Sequence, residues 1–129
     1  MAYAFNVSDP VIEVHNGRRH VAYVVTESDV AVDSEYELDV PKFWTMTLFE
    51  AELTDAGAAT EIDPELGLDD GFTLGTLDQV VTNETAGTHV RSETDVRVTS
   101  PLERLVGRSK PDATATEIVT RLSFVAGHI

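Results

Sequence analysis

The chain has 129 residues, no cysteine and a formal net charge of −14, from 23 acidic and 9 basic side chains. Its length predicts one domain, residues 1–129, whose core needs no disulfide or metal. The lack of cysteine excludes a thiol nucleophile and a Cys-ligated metal site. The negative charge disfavours nucleic acids and anionic membranes as partners. We expect a soluble acidic domain, because neither a signal peptide nor a membrane-spanning apolar segment is apparent.

The charge is unevenly distributed. Residues 27–84 contain 16 acids and one base, whereas residues 85–129 contain five acids and six bases. One interpretation is a solvated acidic face that keeps the protein soluble. The other is head-to-tail self-association, because complementary charged patches steer association and fix its register.

The first predicted elements are strands, which the 32 Val and Thr residues of the chain favour. Residues 1–9 form either the first strand of this domain or an N-terminal arm that adds to the sheet of another subunit. Residues 11–14 and 21–26 are apolar runs that flank Asn16 and Gly17. This arrangement predicts an antiparallel hairpin, because both turn residues tolerate a positive φ.

The middle of the chain combines strands with a long turn-rich segment. Residues 34–40 alternate between apolar and acidic side chains, and residues 43–53 predict a central strand that is covered on both faces at one end. Residues 54–75 predict one long irregular loop. Short helical turns are predicted to start at residues 76–79, with Asn83 as a stop, and at residues 100–103, with Gly107 ending the turn. The second segment also fits a strand that continues from the preceding one.

Two further strands are predicted near the C-terminus. Residues 88–99 alternate strictly, and residues 116–126 place Ile118, Leu122 and Phe124 on one face. The whole pattern predicts an all-β fold, an antiparallel β-sandwich of jelly-roll or immunoglobulin-like type.

Two groups of residues have the chemistry of metal ligands. His15 and His20 bracket the Asn-Gly turn, where they would form a metal site or a pH-sensitive pair, or simply be exposed. The turn-rich segment carries a set of acids that would either bind calcium or be solvated: Glu61, Asp63, Glu65, Asp69 and Asp70. They do not match an EF-hand, because Leu66 occupies the position of the required glycine.

The sequence contains no phosphate-binding loop, nucleophile elbow, zinc-protease motif or dinucleotide fingerprint. We therefore predict that the protein is not an enzyme. No catalytic, cofactor-binding or metal-binding residue is assigned.

The last two-thirds of the chain contains the runs 61–67, 81–85, 89–91, 106–109 and 125–128. In overall character, without a diagnostic motif, this part resembles the small Val/Thr-rich structural proteins of tailed phages. The resemblance implies a multi-copy capsid decoration (cement) protein that stabilises the shell, or a head–tail or tail component. The implied partners are the major capsid protein and other virion subunits, with self-association. The implied location is the capsid surface, after synthesis in the host cytoplasm. No site residues are implied.

The competing interpretation is a carbohydrate-dependent or calcium-dependent binding module. In that case an exposed Trp44, Tyr23 or Tyr36 would stack on a sugar ring. The alternative for each of these aromatic residues is a place in the hydrophobic core.

Overall fold

The computed structural model describes residues 2–15, 17–39, 44–69, 78–79, 84–85, 89–92, 96–97 and 104–126. Within these ranges the chain forms β-strands and no helix. In chain order they are β1 (Ala4–Val7), β2 (Val11–His15), β3 (Arg18–Val30), β4 (Tyr36–Leu38), β5 (Trp44–Asp55), β6 (Glu61–Ile62), β7 (Glu65–Asp69), β8 (Asp78–Gln79), β9 (Glu84–Thr85), β10 (His89–Ser92), β11 (Val96–Arg97), β12 (Arg104–Arg108) and β13 (Ala115–Ala126). The described part accordingly holds no helix of the length and apolarity needed to cross a membrane.

The strands form two main antiparallel sheets. The seven-stranded sheet has the order β1-β3-β13-β5-β10, with β2 also pairing with β3 and β11 also pairing with β5. The four-stranded sheet has the order β4-β12-β7-β8, and β6 pairs with β9 in a short ribbon. The hydrophobic core draws buried residues from both main sheets. This arrangement confirms the predicted antiparallel β-sandwich.

Side-chain alternation gives the seven-stranded sheet two different faces. In β3, Val21, Tyr23 and Val25 are buried against the four-stranded sheet, whereas the residues between them are only half-buried. In β13, Leu122 and Phe124 are likewise fully buried. We call the buried side the inner face and the opposite side the outer face; the period of two along each strand separates them.

A glycine lets an aromatic ring complete the core at the four-stranded sheet. Gly107 of β12 is the register partner of Tyr36 of β4, whose side chain is 1% exposed. A Cβ atom at position 107 would lie 2.2 Å from the Cζ atom of Tyr36. The ring therefore occupies the space that any larger residue would need, and it shields the backbone at the glycine.

Several predicted elements are confirmed, and others need correction. The hairpin is present, because β2 and β3 pair antiparallel and Gly17 has a φ of 74°. The predicted irregular segment 54–75 contains more regular structure than expected, since β6 and β7 lie within it; residues 70–75 fall outside the described residues. β7 is held by a five-residue register with β12, a distant pairing that local turn residues do not reveal.

The two predicted helical turns are not supported where they can be compared. Asp78–Gln79 forms β8, which pairs with β7, so the helical prediction is wrong for these two residues. Residues 76–77 and 100–103 fall outside the described residues. The second predicted turn extends to Gly107, but Arg104–Arg108 forms β12, so the helical alternative is wrong for residues 104–107.

Ion pairs within the chain match the acidic middle with the basic C-terminal third. Arg104 pairs with Glu37 at 2.8 Å and Arg108 with Glu35 at 3.0 Å. Lys110 pairs with Glu65 at 3.2 Å. Each pair joins residues 27–84 to residues 85–129. The charge polarity that suggested head-to-tail self-association is thus partly satisfied inside one molecule.

Candidate functional site

A depression of about 230 Å³ lies on the outer face and spans four neighbouring strands. β2 contributes Val11 and Glu13, which are register partners of Ala22 and His20 of β3. Directly opposite residues of antiparallel strands share a face, so these four side chains stand together. The other lining residues are Ser123 of β13 and Thr47 and Leu48 of β5.

An irregularity in β5 shapes the floor of the depression. Ser123 pairs with Leu48, but the next residue of β13, Phe124, pairs with Met46, so Thr47 is an extra residue in β5. Such a bulge re-aims side chains locally. Thr47 and Leu48 consequently both line the depression, and the Thr47 hydroxyl donates a hydrogen bond to the Ser123 carbonyl oxygen at 3.3 Å.

The lining combines polar groups with small apolar ones. Glu13 offers a carboxylate that accepts hydrogen bonds, His20 an imidazole, and Thr47 and Ser123 hydroxyl groups that both donate and accept. Val11, Ala22 and Leu48 supply apolar surface, and Val11 is 56% exposed at the rim. A shallow site of this composition suits a ligand that presents both hydroxyl groups and C–H surface.

A second depression, of about 310 Å³, lies at the opposite end of β3. It is lined by Ala4, Phe5 and Asn6 of β1 and by Thr26 and Ser28 of β3. His20 and Ser28 have the same parity along β3, so both depressions open on the outer face. His20 and Ser28 are eight residues of extended strand apart, which is about 26 Å. The outer face therefore offers an elongated surface along β3.

A buried polar cluster lies on the inner face beneath β1. Glu27 of β3 is fully buried; its Oε2 atom accepts a hydrogen bond from the Tyr3 hydroxyl at 2.8 Å, and its Oε1 atom accepts one from the Ser109 hydroxyl at 2.5 Å. Burial raises the pKa of Glu27, although both hydroxyl groups oppose this by stabilising the ionised form. Burial, with the Glu27 charge nearby, also raises the pKa of Tyr3 and of Tyr36.

Of the acidic residues predicted as calcium ligands, Glu61, Asp63 and Glu65 have side chains within the described part of the chain, and they do not form a metal-binding group there. Glu65 pairs with Lys110, and the backbone N–H of Glu61 donates to Asp112. Within the described ranges no group of three or more His, Asp or Glu side chains could hold a metal ion. The side chains of Asp69 and Asp70 fall outside the description.

The residues predicted as sugar-stacking platforms or histidine ligands have different places. Tyr23 and Tyr36 are 8% and 1% exposed, so neither can stack on a ligand. The side chains of Trp44 and His15 lie outside what the structure describes. His20 lines the first depression. Glu13 of β2 is the register partner of His20. Ser123 comes from the far end of the chain, and the sequence did not associate it with a site.

The fold is shared with known binding modules. No family model matches the chain, and the curated proteins contain no match. Among solved structures, a xylan-binding domain from carbohydrate-binding module family 22 (CBM22), formally an x6b domain, superposes with a TM-score of 0.52 at 12% identity, over 97% of this chain and 88% of that one. The CBM22-1 xylan-binding domain of Paenibacillus barcinonensis Xyn10C gives 0.50 at 15% identity, over 98% and 87%. The C-terminal family 22 module of Clostridium thermocellum Xyn10B gives 0.50 at 10%, over 95% and 85%.

These likenesses establish the fold and correct the predicted role. The prediction of a phage capsid decoration protein, or of a head–tail or tail component, is wrong, because the structural neighbours are xylan-binding domains and carbohydrate-binding modules. The predicted partners, the major capsid protein and other virion subunits, are wrong for the same reason. The prediction that the protein is not an enzyme agrees with neighbours that are binding domains.

Proposed function

We propose that the protein is a carbohydrate-binding module whose ligand lies along the outer face of the seven-stranded sheet. The observation that carries the proposal is the depression lined by Glu13, His20, Thr47 and Ser123, in a fold shared with xylan-binding domains. Its polar groups suit sugar hydroxyl groups, which both donate and accept hydrogen bonds. Its apolar rim and floor suit the C–H surface of a sugar ring.

The geometry favours binding over hydrolysis. Glycoside hydrolysis uses two carboxyl groups that flank the scissile bond. Among the described residues that line the two depressions, Glu13 is the only carboxylate. An elongated surface without a pair of opposed carboxyl groups holds a chain without cleaving it.

Xylan is the first ligand to test, because it is the ligand named for the structural neighbours. The measurement is isothermal titration calorimetry with soluble xylan, supported by electrophoresis in gels that contain the polysaccharide. A neutral α-linked glucan serves as the specificity control. We expect saturable binding to xylan and no binding to the α-linked glucan.

Variants locate the binding surface. Glu13→Gln and His20→Ala each remove a group from the first depression, and Ala22→Leu fills it without changing the charge. A hydrogen bond to a charged group contributes about 1.5–3 kcal/mol, so we expect Glu13→Gln to weaken binding about tenfold or more. Asp39→Asn is the matched control, because it removes one negative charge from an exposed residue directly after β4.

Two results would contradict the proposal. The first is no binding of the unaltered protein to xylan or to any other soluble polysaccharide tested. The second is equal affinity in all three depression variants and the control, with thermal unfolding showing that each is folded. The second result would place the ligand on a different surface.

A further inference from the structure

Strand β1 is weakly anchored to the rest of the sheet. It has four residues, lies at the end of the seven-stranded sheet and pairs only with β3 among the described residues. Ala4, Phe5 and Asn6 are exposed, and within β1 only Val7 is partly buried against the core, together with Tyr3 just before the strand. Short segments with few buried contacts are the ones that open while the rest of a domain stays folded.

Glu27 connects this strand to both sheets. Phe5 is its register partner in β1, and Tyr3, just before β1, donates to its carboxylate. Ser109, directly after β12, donates to the other carboxylate oxygen. One buried carboxyl group thus joins the N-terminal strand, the long strand β3 and the four-stranded sheet.

The surroundings of Glu27 do not compensate a negative charge. The groups that act on its pKa are the hydroxyls of Tyr3 and Ser109, and neither carries a positive charge. Tyr36 faces it from β4, and Glu35, which lies before β4, acts on Tyr3 in turn. Arg108 of β12 is held by Glu35 at 3.0 Å. Ionisation of Glu27 therefore leaves a buried charge with two neutral donors, which favours any opening that admits water.

We propose that Glu27 is a pH-sensitive clasp: its protonated form fastens β1 to the sheet, and its ionisation promotes the local release of residues 3–7. Because Ala4 and Asn6 line the second depression, release of β1 dismantles that end of the outer face. The clasp itself does not depend on the proposed carbohydrate ligand.

The sign follows from linkage. Burial raises the pKa of Glu27 in the closed state, whereas release of β1 returns this side chain toward its ordinary range. Between the two values, the released state ionises and the closed state does not. The equilibrium constant for release therefore increases up to tenfold for each pH unit in this interval and is constant outside it.

Hydrogen exchange of the backbone amides in β1 tests the clasp without any ligand. Protection factors, which remove the intrinsic pH dependence of exchange, are measured across the acidic to neutral range. We expect the protection of β1 to fall with rising pH by up to tenfold per unit, and to stay below that of β13. A low denaturant concentration should leave the β1 values unchanged, because a local opening exposes little new surface.

Variants separate the clasp from a general loss of stability. Glu27→Gln keeps hydrogen-bonding capacity but cannot ionise, so the pH dependence of β1 protection should disappear. Tyr3→Phe removes one donor, so β1 should open more at every pH while the pH dependence remains. Asp39→Asn, which alters an exposed carboxylate directly after β4, should match the unaltered protein.

Three results would overturn the clasp. The first is the same pH dependence in Glu27→Gln and in the unaltered protein. The second is equal protection of β1 and β13, since β1 would then open only when the whole domain unfolds. The third is unchanged protection in Tyr3→Phe.

Discussion

The inner and outer faces of the seven-stranded sheet are built from alternate residues of the same strands, yet they serve different ends. On β13, Leu122 and Phe124 are fully buried, whereas Ser123 between them is half-buried and lines the first depression. On β3, Glu27 is buried on the inner face while its neighbour Ser28 lines the second depression. Adjacent residues can thus have separate roles, one in stability and one in recognition.

The largest test of this contrast uses neighbouring residues on β13. Phe124 is 0% exposed and its ring contacts that of Tyr23 edge-on, with centroids 5.8 Å apart. Phe124→Ala removes this contact and leaves a cavity, which should cost about 3–5 kcal/mol. Chemical denaturation monitored by circular dichroism measures the change in the free energy of unfolding.

The matched substitution on the outer face is Ser123→Ala. It keeps the backbone carbonyl that accepts from Thr47, so the free energy of unfolding should change by no more than about 0.5 kcal/mol. The contrast between the two faces would be refuted if Ser123→Ala destabilised the domain as much as Phe124→Ala. It would be sharpened if Ser123→Ala changed only the affinity for xylan.

The strands and their faces could be predicted because they are local properties. The alternation in residues 116–126 correctly placed Ile118, Leu122 and Phe124 in the core. The same reasoning missed Val125, which is 2% exposed although its parity is that of the outer face. Sequence alternation indicates which side a residue points to, but not what covers that side.

The candidate site and the buried cluster could not be predicted, because their members are far apart in the chain. Ser123 and His20 come together only through the register of β13 with β3. Glu27 counted in the sequence as one more acid of a solvated face, yet its hydrogen-bond partners are 24 and 82 residues away. The bulge at Thr47 depends equally on a pairing that no local pattern encodes.

A smaller test concerns the polar part of the inner face. Ser109→Ala removes the hydroxyl that donates to Glu27 and leaves a buried carboxylate oxygen without that partner. The cost should be about 1–3 kcal/mol. It should increase with pH, because the lost hydrogen bond stabilises the ionised form of Glu27. A destabilisation that is the same at every pH would show that this hydroxyl acts only through packing.

The smallest test uses the surface carboxylate of Asp112, whose pKa is lowered, whereas that of Glu27 is raised. Asp112 accepts hydrogen bonds from the backbone N–H groups of Thr60 and Glu61 at 2.7 and 3.1 Å, and from the Thr60 hydroxyl. These bonds lower the pKa of Asp112 from 3.8 to about 2. Its stabilising contribution is therefore complete above the ordinary value and is lost as the pH falls toward the lowered one.

Asp112→Asn should consequently lower the melting temperature at neutral pH, and the deficit should shrink as the pH decreases from about 4 to about 2. Glu27 acts in the other direction, since its raised pKa favours the folded state in acid. Melting curves of the unaltered protein, Asp112→Asn and Glu27→Gln over this range separate the two contributions. A deficit in Asp112→Asn that is constant with pH would mean that the surface carboxylate does not stabilise the fold through its charge. Of the two carboxyl groups, only Glu27 would then make the stability depend on pH. Its desolvation outweighs the two hydrogen bonds that it accepts.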